Sequence, residues 1–240
     1  MSVTAPVAVA FCPQPPLLVP EVAQGAAAEL DPLRAACDEA IRRLYAAGAA
    51  LVMVLGAADR TRRYAPSSFG DFSDYGAPWV QVGFGRSNCA GASRLPLGLL
   101  VGAWLLRRSS RAGRELRLGQ TVAADASAEQ CAQLGTALAE TESPVGLLVM
   151  GDGSARRTEK APGYFDPRAE PYDRAVADAL AKADRDALAA LDPALAAELL
   201  AAGRAPWQVA AGATAGRDWS SELLFHEAPY GVGYLVASWT

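Results

Sequence analysis

Gly151-Asp152-Gly153-Ser154-Ala155-Arg156 is the densest run of side chains able to do chemistry in this chain. A carboxylate and a hydroxyl sit in a glycine-rich turn directly after the apolar run 145–150, which reads as a buried strand. Gly, Asp and Ser suit a sharp turn that projects side chains past a strand's C-terminal end, where open α/β sheets place their sites. Ser154 lacks the GxSxG context of a nucleophile elbow. The chain's one histidine, His226, is far from it in sequence, so a serine hydrolase has little support. Gly83-Phe84-Gly85 has no third glycine at dinucleotide-binding spacing, and no phosphate-binding GxxxxGK[ST] loop exists. Cys12, Cys37, Cys89 and Cys131 have no CxxC spacing and read as reduced thiols rather than a metal site.

These residues need a scaffold, and the pattern predicts alternating strands and helices. Apolar, β-branched runs predict strands at 3–11, 50–55, 79–82, 114–121, 145–150, 222–226 and 232–238. Helical spacing predicts helices at 21–47, 95–108, 127–140 (capped by Ser127), 171–191, 193–202 and 206–213. Residues 60–77, rich in Ser, Gly, Asp and aromatics, read as a loop. No repeat or linker divides the chain, so 1–240 reads as a single domain. The expected architecture is a three-layer α/β/α sandwich with a mixed, mainly parallel sheet and a C-terminal antiparallel hairpin.

Composition narrows the partners. The 240 residues are 51% hydrophobic and 20% charged, as in folded globular proteins. A net charge of −4 leaves no basic field for nucleic acid. Arg107, Arg108, Arg111 and Arg114 read as a solvated helix end, and Arg60, Arg62 and Arg63 as a solvated loop. The apolar run 95–106 is too short to cross a bilayer, and residues 1–10 have no charged leader. A cytoplasmic protein without membrane association is expected.

The turn at 151–156 resembles the Gly-Asp-Leu-Ser-His-Arg loop of the class III extradiol ring-cleavage dioxygenases and of the related Memo-like proteins. The similarity covers most of the chain and is strongest at 11–22, 151–173 and 228–239. It implies an Fe(II) site at the ends of the strands, and it identifies the positions that would serve it. The catalytic histidine after the serine is here Ala155. In the Pro-His-Pro-Pro-Leu-Leu segment of relatives the histidine ligates iron, and here the position is Gln14. The loop after the second strand, where relatives carry another ligand histidine, reads Gly56-Ala57-Ala58-Asp59-Arg60; Ala58 marks the position to within a residue, and Asp59 is the only oxygen donor. An Ala-Gly-Glu-Cys-Gly segment, the implied source of the carboxylate ligand, is replaced by Ala202-Gly203-Arg204-Ala205-Pro206. Losing each imidazole would weaken metal affinity by several kcal/mol, and Arg204 would add repulsion. In the ending around His226-Glu227-Ala228-Pro229-Tyr230-Gly231-Val232-Gly233-Tyr234, His226 stands where relatives are usually aromatic. A structural substitute for Tyr, a pocket or interface role, and metal binding all remain open for it.

The resemblance thus implies a dioxygenase-like pseudoenzyme with neither metal nor cofactor. Its polar cleft, lined by Gln14, Asp59, Asp152, Ser154, Arg156, Arg204, His226 and Glu227, would take a small molecule, an anion among the candidates. The other readings are an active non-heme Fe(II)-type enzyme with a rebuilt site and a scaffold for a protein partner. Ala-rich helices also suit a homodimer. Asp166, Asp173 and Glu159 read as turn, cap or rim residues.

Overall fold

A computed structural model describes residues 6–85, 93–108, 116–141 and 143–240. Parallel strands β1 (Ala8–Cys12), β2 (Leu51–Ala58), β6 (Leu116–Ala123) and β7 (Val145–Met150) form the centre of the main sheet. Around them β3 (Arg62–Tyr64), β8 (Ser221–Glu227) and β9 (Tyr234–Trp239) run antiparallel to their neighbours. The order of this seven-stranded sheet is β3-β6-β2-β7-β1-β9-β8. A separate hairpin pairs β4 (Phe69–Phe72) with β5 (Ala77–Gly83).

Strands buried on both faces read as unbroken apolar runs, as β1, β7 and β9 do. Their alternating side chains feed two cores. Ala8, Ala10, Val52, Val54, Leu148 and Met150 face the first, which α2 (Asp31–Ala46), α3 (Leu97–Arg108) and the β4–β5 hairpin cover. Val9, Phe11, Met53, Leu55, Leu147 and Val149 face the second. That side is covered by α4 (Ala128–Ala139), α5 (Ala169–Lys182), α6 (Arg185–Ala189), α7 (Pro193–Glu198) and α8 (Arg204–Ala213). The result is the expected α/β/α sandwich. Trp239 anchors the second core, its ring 4.8 Å from that of Phe11 and its indole N–H donated to Leu180 O at 2.8 Å. Truncating such a buried aromatic costs about 3–5 kcal/mol.

Several boundaries differ from expectation. The helix expected over 21–47 is broken: α1 (Pro20–Ala23) stops at Gln24, whose φ is 50°, and a 3₁₀ stretch Gln24–Leu30 precedes α2, which opens with Pro32 in its first turn. The helix expected over 171–191 ends at Lys182, because Ala183 turns left-handed and Asp184 then caps α6 through Ala187 N–H. Likewise α7 stops at Glu198, just before Leu200 adopts φ 56°. Residues 60–77 are not all loop: they include β3 and β4, too short and, in β3, too arginine-rich to show an alternating pattern. The cationic end of α3 is exposed, as expected. Arg107 donates to Gln81 O, while Arg108 pairs with Asp38 and covers the Trp104 ring. Cys12, Cys37 and Cys131 are buried free thiols. Cys89, Arg111, Arg114 and the first residues of two expected strands lie outside the described residues.

Helices α4 and α8 approach closely. A Cβ added to Gly135 of α4 would lie 2.3 Å from Val209 O and 2.7 Å from Ala213 N, both backbone atoms that cannot swing aside. Gly135→Ala is therefore expected to lower stability by about 1–3 kcal/mol, despite alanine's better helix propensity. Thermal unfolding would show it as a Tm drop of roughly 3–10 °C.

Candidate functional site

The loops leaving β1 and β2 turn toward the first core, where Leu18 and Tyr64 pack. Those leaving β6 and β7 turn toward the second, where Ala126 and Ala169 pack. Between β1 and β7, neighbours in the sheet, the chain therefore parts to opposite faces at the strands' C-terminal ends, the kind of switch point beside which open α/β sheets place ligands. Gln14 and Asp152 flank it. The ladder that pairs Cys12 with Met150 continues into the loops, with Gly151 N–H donating to Cys12 O at 3.0 Å. Gln14 N–H then donates to Asp152 Oδ1 at 2.7 Å.

Asp152 is half-buried, and loss of solvation pushes its pKa up to about 7, offset only in part by the Gln14 N–H. Among the described residues it has no ion-pair partner. The buried phenol of Tyr234, at the start of β9, is raised by burial and then by the Asp152 charge. The Gln14 side chain is 7% exposed and presses on the first turn of α3, where a Cβ on Gly98 would lie 2.6 Å from its Oε1. Gly98 in turn packs on Gly56 of β2. Oε1 is buried without a hydrogen-bond partner.

A second cluster, centred on Asp173 of α5, sets the shape of the loop. Its fully buried carboxylate accepts Ser154 N–H at 2.7 Å and the Arg157 guanidinium at 3.0 Å. Gly153 and Gly233 lie so close that added Cβ atoms would sit 2.5 and 2.2 Å from its oxygens. The two glycine segments pair through their backbones: Gly153 N–H to Gly233 O, Gly233 N–H to Ser154 O, and Arg157 N–H to Gly231 O. Burial raises the Asp173 pKa even against these donors. Asp173 is thus a buried hub, not the rim residue its sequence context suggested, and no sequence signal set it apart. Tyr234 and Gly98 are further parts of the site that sequence reasoning missed. By contrast Asp166 behaves as expected, accepting Arg168 N–H at 2.9 Å in the turn before α5.

The remaining candidates are dispersed. Ser154 is fully buried, donating its hydroxyl to Leu199 O at 3.1 Å and accepting Arg156 N–H at 3.1 Å, which makes it a turn lock and not a nucleophile. Ala155 donates its N–H to Leu199 O. Arg156 is half-buried along Gly163, its Nε without a partner. Arg204 is not a lining cation. It is buried, and its guanidinium donates to Ala124 O, Ala126 O and Gln208 Oε1, tying the start of α8 to the loop after β6. The amides of Gly151, Gly153 and Ser154 are also engaged, so an anion finds neither the arginine nor those amides free. Asp59 is exposed beyond β2, and Ala58 pairs with Ala123. His226 is half-buried on edge strand β8, with Nε2 unpartnered and its pKa lowered mainly by burial; it answers to the Asp173 charge, not to Asp152. Glu227 is exposed at the end of β8.

A non-heme Fe(II) centre needs imidazoles and a carboxylate on one face. Of the positions the resemblance assigns to it, Gln14 offers an amide, Ala58 and Ala155 offer nothing, and Arg204 brings a cation bound to carbonyls. Among the described residues no group of three or more His, Cys, Asp or Glu is placed to hold a metal ion. The donors present do not fit the iron. No protein-family model matches this chain, and no curated protein matches it.

The two raised carboxylates predict opposite outcomes. Asp152→Asn keeps the acceptor for Gln14 N–H and removes a poorly solvated charge. Because the folded pKa of about 7 exceeds the ordinary 3.8, the charge destabilises progressively as pH rises between those values. The variant should gain on the order of 2–4 kcal/mol above neutrality, a gain that vanishes below about pH 4, as denaturant melts across pH will show. Asp173→Ala strands Arg157 and Ser154 N–H, and the same melts should show a loss of about 3–5 kcal/mol.

Proposed function

We propose that this chain is an extradiol-dioxygenase-like protein without Fe(II) ring-cleavage activity, which holds a small polar ligand in the crevice between β1 and β7. One observation carries the reading. Gln14 stands where the resemblance implies an iron-ligating imidazole, and its backbone N–H is bound to the carboxylate of Asp152. That pairing is polar, half-buried and free of any competing cation among the described residues, a small-molecule site in its composition. The crevice position itself is where α/β sheets bind ligands. The buried free thiols Cys12, Cys37 and Cys131 support a cytoplasmic, reducing setting. No described helix is long and apolar enough to cross a membrane.

A protein-binding scaffold has one observation in its favour. Tyr164, Phe165 and Leu200 are 62%, 50% and 49% exposed, and Leu200 abuts Gly163, so the three form one apolar patch.

The test is iron retention. Protein purified without oxygen, reconstituted with Fe(II) and desalted should keep less than about a tenth of an equivalent by plasma mass spectrometry. Near-stoichiometric iron with oxygen uptake on catechol-type substrates would restore the active-dioxygenase reading.

A further inference from the structure

The crevice holds an imbalance of charge and hydrogen bonding. Two of its acceptors lack the donors they need. Asp152 Oδ1 takes one backbone N–H, and no side-chain donor among the described residues reaches its carboxylate. Gln14 Oε1, on the residue whose N–H holds Asp152, is buried with no donor among the described residues. Arg157 is spent on Asp173, Arg204 on Ala124, Ala126 and Gln208, and Arg168 on Asp166 and Glu198, while Arg156, its Nε unpartnered, lends its charge to Asp166 and not to Asp152. An orphaned buried acceptor destabilises the fold, and a desolvated carboxylate without a cation does so more strongly. Both deficits are met by one kind of group.

Resting on the reading above that this crevice is the ligand site, we infer that it binds an organic ammonium group, with Asp152 as counter-ion and Gln14 Oε1 as second acceptor. Gln14 N–H already meets Asp152 Oδ1, and rotating the glutamine side chain away from Gly98 would turn its Oε1 toward a primary ammonium paired with Asp152. The buried Tyr234 phenol lies near enough to Asp152 to feel its charge. Because the cation binds the ionised carboxylate, binding releases a proton from Asp152. Tyr234, whose pKa burial raises further above the ordinary tyrosine value, answers to the Asp152 charge and stays neutral at these pH values.

The test uses methylammonium and n-butylammonium chloride as probes on the full chain, with sodium chloride at equal ionic strength as control, and sodium phosphate and glycerol as anionic and neutral comparators. Thermal shift is read at pH 5.5 and pH 8. The ammonium probes should stabilise the wild type, with apparent affinity rising about tenfold per pH unit below neutrality and levelling above it. Asp152→Asn should abolish the shift. Gln14→Leu should raise the Tm of the ligand-free protein yet weaken the probe about fivefold or more, a split that a purely structural residue does not produce. Ammonium shifts that equal the sodium control, or that survive Asp152→Asn, overturn the inference. Stabilisation by phosphate or glycerol alone, lost in Asp152→Asn, overturns the ammonium class and leaves the crevice as a ligand site. Absence of every probe effect together with retained iron sinks the parent reading as well.

Discussion

The carboxylate of Asp173 has no exposed surface, and two glycine segments from opposite ends of the C-terminal half close over it. A buried charge of this kind is costly unless its lone pairs are filled, and here Ser154 N–H and the Arg157 guanidinium fill them. The loop after β7 and the turn before β9 then have little freedom: each must present backbone, without Cβ, to the same oxygens. Their mutual hydrogen bonds follow from that convergence. The position of Asp152, one residue before the clamped Gly153, is inherited from it. So is the start of β9, where Tyr234 sits beside the crevice. Of the Gly-Val-Gly run, Gly233 answers to a steric demand made by a helix residue some sixty positions away, while Gly231, at φ 75°, makes the turn against Thr158 and Ala161.

Asp152 and Asp173 show how two aspartates of one loop region diverge. Burial raises the pKa of both. Asp173 recovers part of the cost through a cation and an amide, and so serves the fold. Asp152 receives a single amide, so its ionised form remains unsatisfied near neutral pH. Fold-serving polar groups are saturated, whereas groups that meet a ligand keep capacity unspent. By that criterion Ser154, whose hydroxyl both donates and accepts inside the protein, belongs with Asp173 and not with Asp152.

What the sequence made legible follows from how local each determinant is. The central strands were readable because burial on both faces writes a continuous apolar run, as in Val145–Met150. The Ser127 capping box of α4 was readable because its partner Gln130 is three residues away. The breaks at Gln24, Ala183 and Leu200 were not: each non-glycine residue turns left-handed, and none carries the residue type that announces such a turn. For the candidate site, the Gln14 and Asp152 positions were recoverable from their places after two strands. The burial of Arg204 was not, because its carbonyl partners Ala124 and Ala126 lie in a loop with no sequence link to it. A cation in sequence looks the same whether it lines a cavity or closes a backbone.

The same distinction bears on how the loss of histidines is read under the proposed kinship. A site merely stripped of its ligands would leave voids or unpaired backbone where imidazoles had been. Around Ala155 the space is instead filled by chain: its N–H reaches Leu199 O, its carbonyl accepts Gly163 N–H, and Gly163 packs on Arg156 and Leu200. Around Arg204 the guanidinium does the filling, bracing α8 against the loop after β6, while Gly203 lies against both Gly151 and Trp207. Two of the four replaced positions have therefore become structure. At Gln14 and Asp152, by contrast, polar capacity remains unspent, and this places any surviving function of these replaced positions at the boundary between β1 and β7.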